Sequence, residues 1–188
     1  SVVLPLIERH SGKKAGAHFS LAMNPEFLRE GKALSDFLHP DRVVIGTSDR
    51  KAAETLRKAY ADFNAPIMET GIKEAEMIKY ASNAFLASKI SFMNELGNLC
   101  KKLGIDTYKV AEGMGMDKRI SRHFLQAGIG WGGSCFPKDV KALIAKARNE
   151  GRNMKILENV VDVNENQRRL IVDMLKAKIP LRGRKVAI

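Results

Sequence analysis

Residues 42–69 read RVVIGTSDRKAAETLRKAYADFNAPIME, and the fold class turns on this stretch. Arg42-Val43-Val44-Ile45-Gly46 has the β-branched content and closing glycine of a buried strand. Ser48-Asp49 offers side-chain acceptors for a cap, which starts a helix at Arg50 that the pattern carries to about Phe63. Pro66-Ile67-Met68-Glu69 reads as one more strand. Strand, helix and strand in succession imply a parallel α/β unit, because parallel neighbours need a crossover of this kind.

Working outward, the first residues read as a helix to about His10, followed by a turn at Ser11-Gly12-Lys13-Lys14. Phe19-Ser20-Leu21-Ala22-Met23 reads as an apolar strand running into Asn24-Pro25. No GxGxxG phosphate turn occurs before the α/β unit, so this stretch is expected to be the part of a dinucleotide domain that does not grip pyrophosphate.

From about Glu74 the pattern is helical throughout. Ile78, Phe85, Phe92 and Leu99 recur every seven residues, with Leu96 and Leu103 on the same side. Between Ala81 and Cys100 only Lys89 and Glu95 are charged, which places this helix at the centre of a bundle. Gly104 ends it. Further helices are expected over Thr107–Glu112, from Pro137 to about Asn149, and over Lys155–Lys178, where Pro180 stops the last. Arg184–Ile188 looks like the opening strand of another domain. The expected architecture is α/β, then all-α. The C-terminal portion of a Rossmann-like domain (1–72) precedes a helical central domain (73–180) with a long connecting helix and a stub (181–188).

Composition narrows the function. A hydrophobic fraction of 45% suits a domain with a real core. No apolar run approaches the ~20 residues of a membrane span, and the N-terminus lacks the pattern of a secretory signal. Cys100 and Cys135 lie in dissimilar surroundings, which argues against a disulfide framework and for a reducing, cytoplasmic setting. The net charge is +11, with 12 basic and 5 acidic residues from Lys141 onward. Such an excess can serve nucleic acid, an anionic partner domain or phosphorylated small molecules. With aromatics at 6% and none interleaved with the basic cluster, a solvated helix face accounts for it better than base stacking.

Three segments can carry chemistry. In Gly128-Ile129-Gly130-Trp131-Gly132-Gly133-Ser134-Cys135-Phe136-Pro137-Lys138-Asp139, four glycines in six residues let backbone approach a ligand closely. Pro137 suits the first helical position, which sets Cys135 just ahead of the helix. A thiol there is favoured as thiolate by the unpaired N–H groups, with Lys138 nearby. Asp139 falls in the first turn, placed to handle protons. A structural cysteine after a glycine hinge is the plain alternative; the agreement of loop and helix start favours a nucleophile, whereas Cys100 on the apolar helix is structural.

Lys79 and Asn83 are four apart, hence neighbours on one helix face. A cation and an amide so placed can stabilise an oxyanion, although the pair alone usually marks a wet surface. In Asn24-Pro25-Glu26-Phe27-Leu28-Arg29-Glu30-Gly31, Glu26 and Glu30 lie where α/β sheets bind ligands. They suit water activation, hydroxyl recognition or simple helix capping, and the residues alone leave these open.

These segments together resemble the UDP-glucose/GDP-mannose dehydrogenase family. NPEFLREGKALSDFLHPDRVVIG at 24–46, EAEMIKYASNAF at 74–85 and GIGWGGSCFPKD at 128–139 follow the family's order across essentially the whole chain. SDFLHPDRVVIG, KYASNAFLASKISF and AEGMGMDKRI look more like the UDP-glucose branch than the GDP-mannose branch. The resemblance implies an NAD-dependent four-electron oxidation of a nucleotide-sugar alcohol to the uronic acid, UDP-glucose to UDP-glucuronate, through a cysteine thiohemiacetal and thioester.

It also implies roles. Cys135 is the nucleophile, Lys79 and Asn83 steady the C6 oxygen, Asp139 supports proton transfer, and Glu26 is associated with the hydrolytic water. Glu26, Phe27, Leu28, Arg29 and Glu30 match substrate-binding positions, as do Phe124, Leu125, Gln126, Ala127, Gly128 and Gly132. Arg119 matches an arginine that reaches the neighbouring subunit's substrate, and Glu30 and Lys138 match positions that approach NAD. No metal is implied, and a homodimer is.

The family's N-terminal fingerprint, its site threonine and its third domain are absent, so a chain cut at both ends and inactive alone is expected. GDP-mannose or a UDP-N-acetylhexosamine is the nearest alternative substrate. A noncatalytic helical dimerisation fragment and a basic nucleic-acid binder are the rivals from other classes.

Overall fold

The structure, a computed structural model, describes residues 2–185. The chain forms two compact units, one through Lys79 and one from Tyr80.

In the first unit, α1 (Val3–Ser11) ends where Gly12 takes a left-handed conformation, φ +67°. α2 (Ala33–Leu38) precedes β1 (Val43–Gly46), α3 (Arg50–Ala59) and β2 (Ile67–Thr70). β1 and β2 pair in parallel, Val43 opposite Ile67 through Gly46 opposite Thr70, as the strand–helix–strand pattern requires. Val44 and Ile45 are fully buried. Asp49 caps α3, its carboxylate accepting from the N–H groups of Lys51 and Ala52. Gly46 has a packing reason: an added Cβ would lie 2.4 Å from Ala75 Cβ and 2.9 Å from the Gly71 carbonyl oxygen.

Two expectations are corrected here. Phe19–Met23 is not a strand; Met23 makes a single antiparallel bridge with Gly46. The ladder stops because Asn24 Nδ2, a side chain, donates to the Val44 carbonyl at 2.8 Å, and Pro25 has no N–H to offer. α3 ends at Ala59, four residues short of Phe63. Beyond it the Tyr60 hydroxyl donates to Asn24 Oδ1 at 2.6 Å, and Phe63 meets the rings of Phe37 and Tyr60. Aromatic burial outweighs further helix.

The first turns of α4 (Ile72–Leu103) belong to the first unit and the remainder to the second. Gly104 terminates it at φ +68°. α5 (Thr107–Gly115) is capped by Asp106, and α6 (Cys135–Asn149) and α7 (Lys155–Lys178) follow. The second unit's core joins Ala84 and Ala87 of α4, Trp131, Val140, Leu143 and Ile144 of α6, and Leu157 and Val160 of α7.

The heptad stripe of α4 lies largely exposed on one side of the helix. Phe85 is 68% exposed and Phe92 55%, with Leu99 and Leu103 exposed as well. The face turned inward carries Asn83, Ala84, Ala87, Ser91, Met93, Asn94 and Cys100; Asn83, Ser91 and the Asn94 Oδ1 find partners inside, while the buried Asn94 Nδ2 has none. The strand expected over Arg184–Ile188 falls largely outside the described residues. Among the described residues, no helix is long and apolar enough to cross a membrane.

Candidate active site

The two units carry separate clusters of the residues singled out above. In the first, the chain leaves the Met23 bridge, turns at Asn24-Pro25 and presents Glu26 to Glu30. Glu26 fixes its own loop, Oε2 accepting from the Leu28 N–H at 2.7 Å. Lys79, on α4, donates from Nζ to the Glu26 carbonyl oxygen and, at 3.0 Å, to its Oε1. The Lys79 side chain is only 15% exposed; the ion pair and the Phe27 ring, 5.4 Å from Nζ, meet the needs of a half-buried ammonium. Arg42 stacks on Phe27 at 3.9 Å.

Arg29 braces the loop. Its guanidinium grips Asp36 through two N–H groups at 2.6 and 2.9 Å, and its backbone N–H adds a third bond at 2.9 Å. The guanidinium hydrogen bonds hold the Asp36 carboxyl down at about 2. Leu28 and Glu30 are exposed. A cavity of about 240 Å³ opens between this loop, α2 and Tyr60.

The second cluster centres on the start of α6. The helix begins at Cys135, not at Pro137, so Cys135 is itself the first helical residue. Pro137 fits third, where the N–H it lacks has no intrahelical acceptor. Asp139 consequently lies past the first turn, one turn along from Cys135 on the same face. The thiol is exposed, its sulfur 3.6 Å from Ser134 Oγ.

Asp139 is buried, 2% exposed. Asn83 Nδ2 donates to its Oδ2 at 2.6 Å, and Lys138 pairs with Oδ1. That hydrogen bond pushes the Lys138 ammonium up from its ordinary value. A buried carboxylate with an amide donor and a cation is held in one orientation. Asn83 is thus brought to the thiol's helix. Lys79 sits on the same helix as Asn83, four residues earlier, and is engaged by Glu26.

The loop before Cys135 is held by side chains that the sequence reading did not single out. Gly128 donates its N–H to Asn94 Oδ1 at 2.6 Å and accepts from Gln167 Nε2 at 2.7 Å. Trp131 donates its N–H to Asn164 Oδ1 at 2.7 Å and accepts from Asn164 Nδ2 at 2.9 Å. Its indole N–H donates to Ser91 Oγ at 2.9 Å. The available signal was Ser91, Asn94 and Asn98 at helical spacing within an otherwise apolar run; counting charges alone passes over them.

Phe124 takes a left-handed φ of +62° where the 124–128 segment begins, and Leu125 is buried. Gln126 is exposed, and Gly132 borders open space. Arg119 stands apart on a turn after α5, its guanidinium on Asp117 at 2.6 Å and its side chain largely exposed; Asp117 raises it above the usual arginine value. Among the described residues no three His, Cys, Asp or Glu side chains are grouped as metal ligands.

Residues 73–166 match the UDP-glucose/GDP-mannose dehydrogenase family, central domain, and residues 1–64 match the same family's NAD binding domain. A UDP-glucose 6-dehydrogenase of Haloferax volcanii, AglM, is 51% identical over 192 residues, covering 100% of this chain and 45% of that protein. A solved UDP-glucose dehydrogenase from Pyrobaculum islandicum superposes with a TM-score of 0.86 at 51% identity, over 92% of this chain and 40% of that one. A GDP-mannose dehydrogenase from Pseudomonas aeruginosa gives 0.63 at 39% identity, over 94% and 41%. The chain therefore spans less than half the length of these relatives.

The geometry makes the two thiols unlike each other, since Cys100 is buried and Cys135 exposed. In the folded chain near neutral pH, iodoacetamide is expected to label Cys135 at least tenfold faster than Cys100, on the order expected when one thiol needs local opening to react. Peptide mapping over time reads the two rates. Equal rates would contradict the placement of α6.

Proposed function

Because the chain belongs to the UDP-glucose/GDP-mannose dehydrogenase family, we propose that it carries the thiol half of an NAD-dependent nucleotide-sugar 6-dehydrogenase, acting on UDP-glucose to give UDP-glucuronate. The observation that carries this reading is the exposed thiol at the first residue of α6, one turn from a buried carboxylate held by Asn83 and Lys138. Identities near 50% to proteins described as UDP-glucose 6-dehydrogenases favour UDP-glucose over GDP-mannose.

NAD⁺, when bound, supplies the acceptor for a hydride in each of two oxidations. The residues present fit it. Beside Cys135, Gly132 and Gly133 leave open space even where a Cβ is added, so a planar ring can approach the sulfur, and the exposed side chains of Lys138 and Glu30 suit contacts to the cofactor.

In the first oxidation the sugar's C6 hydroxyl loses its proton and C6 loses a hydride, giving an aldehyde. The Cys135 sulfur adds to that carbonyl carbon, and Lys79 and Asn83 stabilise the oxygen as charge develops on it. Loss of a second hydride from this thiohemiacetal gives a thioester. Water, oriented by Glu26, then breaks the C–S bond, releasing the carboxylate and returning the thiol. Asp139 holds or passes protons beside the sulfur. Over the cycle one alcohol, one water and two NAD⁺ become one carboxylate, two NADH and three protons.

Glu26 to Glu30, Phe124 to Gly128 and Gly132 contact the substrate, Arg29 from the position its ion pair with Asp36 gives it. Arg119, on its exposed turn, reaches the partner's substrate. The free thiols suit a reducing compartment such as the cytoplasm.

In the full-length protein Cys135→Ser is expected to abolish acid formation, and Lys79→Ala to lower kcat by about 10²-fold, the scale of losing one oxyanion donor. Steady-state NADH assays decide it; wild-type turnover in Cys135→Ser removes the covalent mechanism.

The stripe of Phe85, Phe92, Leu99 and Leu103, exposed on one side of α4, is covered in this reading by a second copy of the chain. So regular an apolar row is costly to leave in water. Sedimentation equilibrium should show a dimer at micromolar concentration, and the double substitution Phe85→Glu, Phe92→Glu a monomer. A wild-type chain that stays monomeric would sink this part.

A further inference from the structure

The glycine loop ahead of Cys135 takes its course from three carboxamides. Asn94 and Gln167 meet the N–H and carbonyl of Gly128, and Asn164 alone meets both groups of Trp131. Asn164 is completely buried in the middle of α7, and its amide pairs with Trp131 as a neighbouring strand would. The loop is shaped to it: Gly130 sits at φ +111°, and a Cβ there would lie 2.6 Å from Asn164 Oδ1. The grip extends to the thiol's own helix, because the Trp131 ring meets Phe136 edge-on at 6.4 Å, and Phe136 follows Cys135 directly.

We propose that Asn164 is the positioning residue for Cys135, fixing the loop through the Trp131 backbone so that the sulfur stands where the sugar's C6 arrives. The turnover consequence rests on the dehydrogenase reading above; the hold on the loop does not. Asn164 touches no reacting atom, and its effect is transmitted through Trp131 and Phe136 to the first turn of α6. A displacement of about 1 Å in a reacting group costs on the order of 10²-fold in rate, which sets the size expected.

Trp131 is the single tryptophan of the chain, so its fluorescence reports this loop directly. Two substitutions attack the contact: Asn164→Ala removes the carboxamide, and Asn164→Asp keeps its shape but replaces the Nδ2 donor to the Trp131 carbonyl with an acceptor. Each is expected to keep its helical circular dichroism while the Trp131 emission shifts red and acrylamide quenches it more readily. In the full-length protein each is expected to lower kcat by about 10²-fold with KM for the nucleotide sugar little changed.

If Asn164→Ala does not fold, Asn164→Asp decides. Folded variants with wild-type emission and wild-type kcat would overturn the proposal, as would parallel loss of helicity, KM and kcat in both, which describes a residue needed only for the fold. Failure of the dehydrogenase reading shows differently, as wild-type turnover that survives Cys135→Ser; the emission shift then still decides whether Asn164 holds the loop.

Discussion

The hydrogen bonds between the buried Asn164 carboxamide and the backbone of Trp131 are what the second unit is arranged around. A glycine-rich segment gains nothing from side-chain packing at its glycines and loses more conformational entropy on ordering than any other kind of backbone. Four carboxamide bonds to Gly128 and Trp131 offset that loss. Leaving one buried donor or acceptor without its partner costs about 1–3 kcal/mol, so the loop has one favourable path between α4 and α7. The indole then seals the arrangement. Its ring joins the apolar core, and its N–H reaches Ser91, whose hydroxyl donates in turn to the Val160 carbonyl. Loop, long helix and core are therefore one construction, and Cys135 begins the helix that leaves it.

This construction explains an inversion in α4. The inner face carries Ser91 and Asn94 among small residues, while Phe85 and Phe92 face outward. Large side chains inside would hold the loop and α7 away, whereas alanine, serine and asparagine admit them and supply the donors and acceptors the loop needs. The large apolar residues of the heptad are left on the exposed face. In the first unit a different device sets the Glu26 loop: the Arg29–Asp36 clamp and the Lys79–Glu26 pair fix a backbone that has left its β-bridge. Each cluster is a loop fixed by polar side chains of a neighbouring helix.

Much of this was legible in the sequence. β1, β2, the bounds of α7 and the glycine stop of α4 follow from β-branched runs, Pro180 and Gly104, because each is decided by local chemistry. The segments holding Glu26, Lys79, Asn83, Cys135 and Asp139 stand out as candidates by residue type and spacing, without those signals deciding their roles. What was missed depended on distant partners. Phe19–Met23 has strand composition, but Asn24 and Pro25 leave it no ladder beyond one bridge. α3 stops early because Tyr60 and Phe63 have rings to meet. Pro137 favours a helix start, yet the helix begins at Cys135, which a proline at the third position permits because the N–H there has no intrahelical acceptor either. Asn94, Asn164 and Gln167 are neutral, and only the folded loop reveals what they hold.

The proposed chemistry depends on whether sulfur and sugar become covalently joined. Glu26 orients the water that breaks the C–S bond in this account, so Glu26→Gln should slow that step and leave the two oxidations before it intact. The full-length Glu26→Gln protein, mixed with NAD⁺ and UDP-glucose and quenched in acid, should yield a Cys135 peptide heavier by the acyl group of the nucleotide sugar. The same samples should show a burst of two NADH per site. NADH formation with the Cys135 peptide unmodified at every quench time would contradict the account.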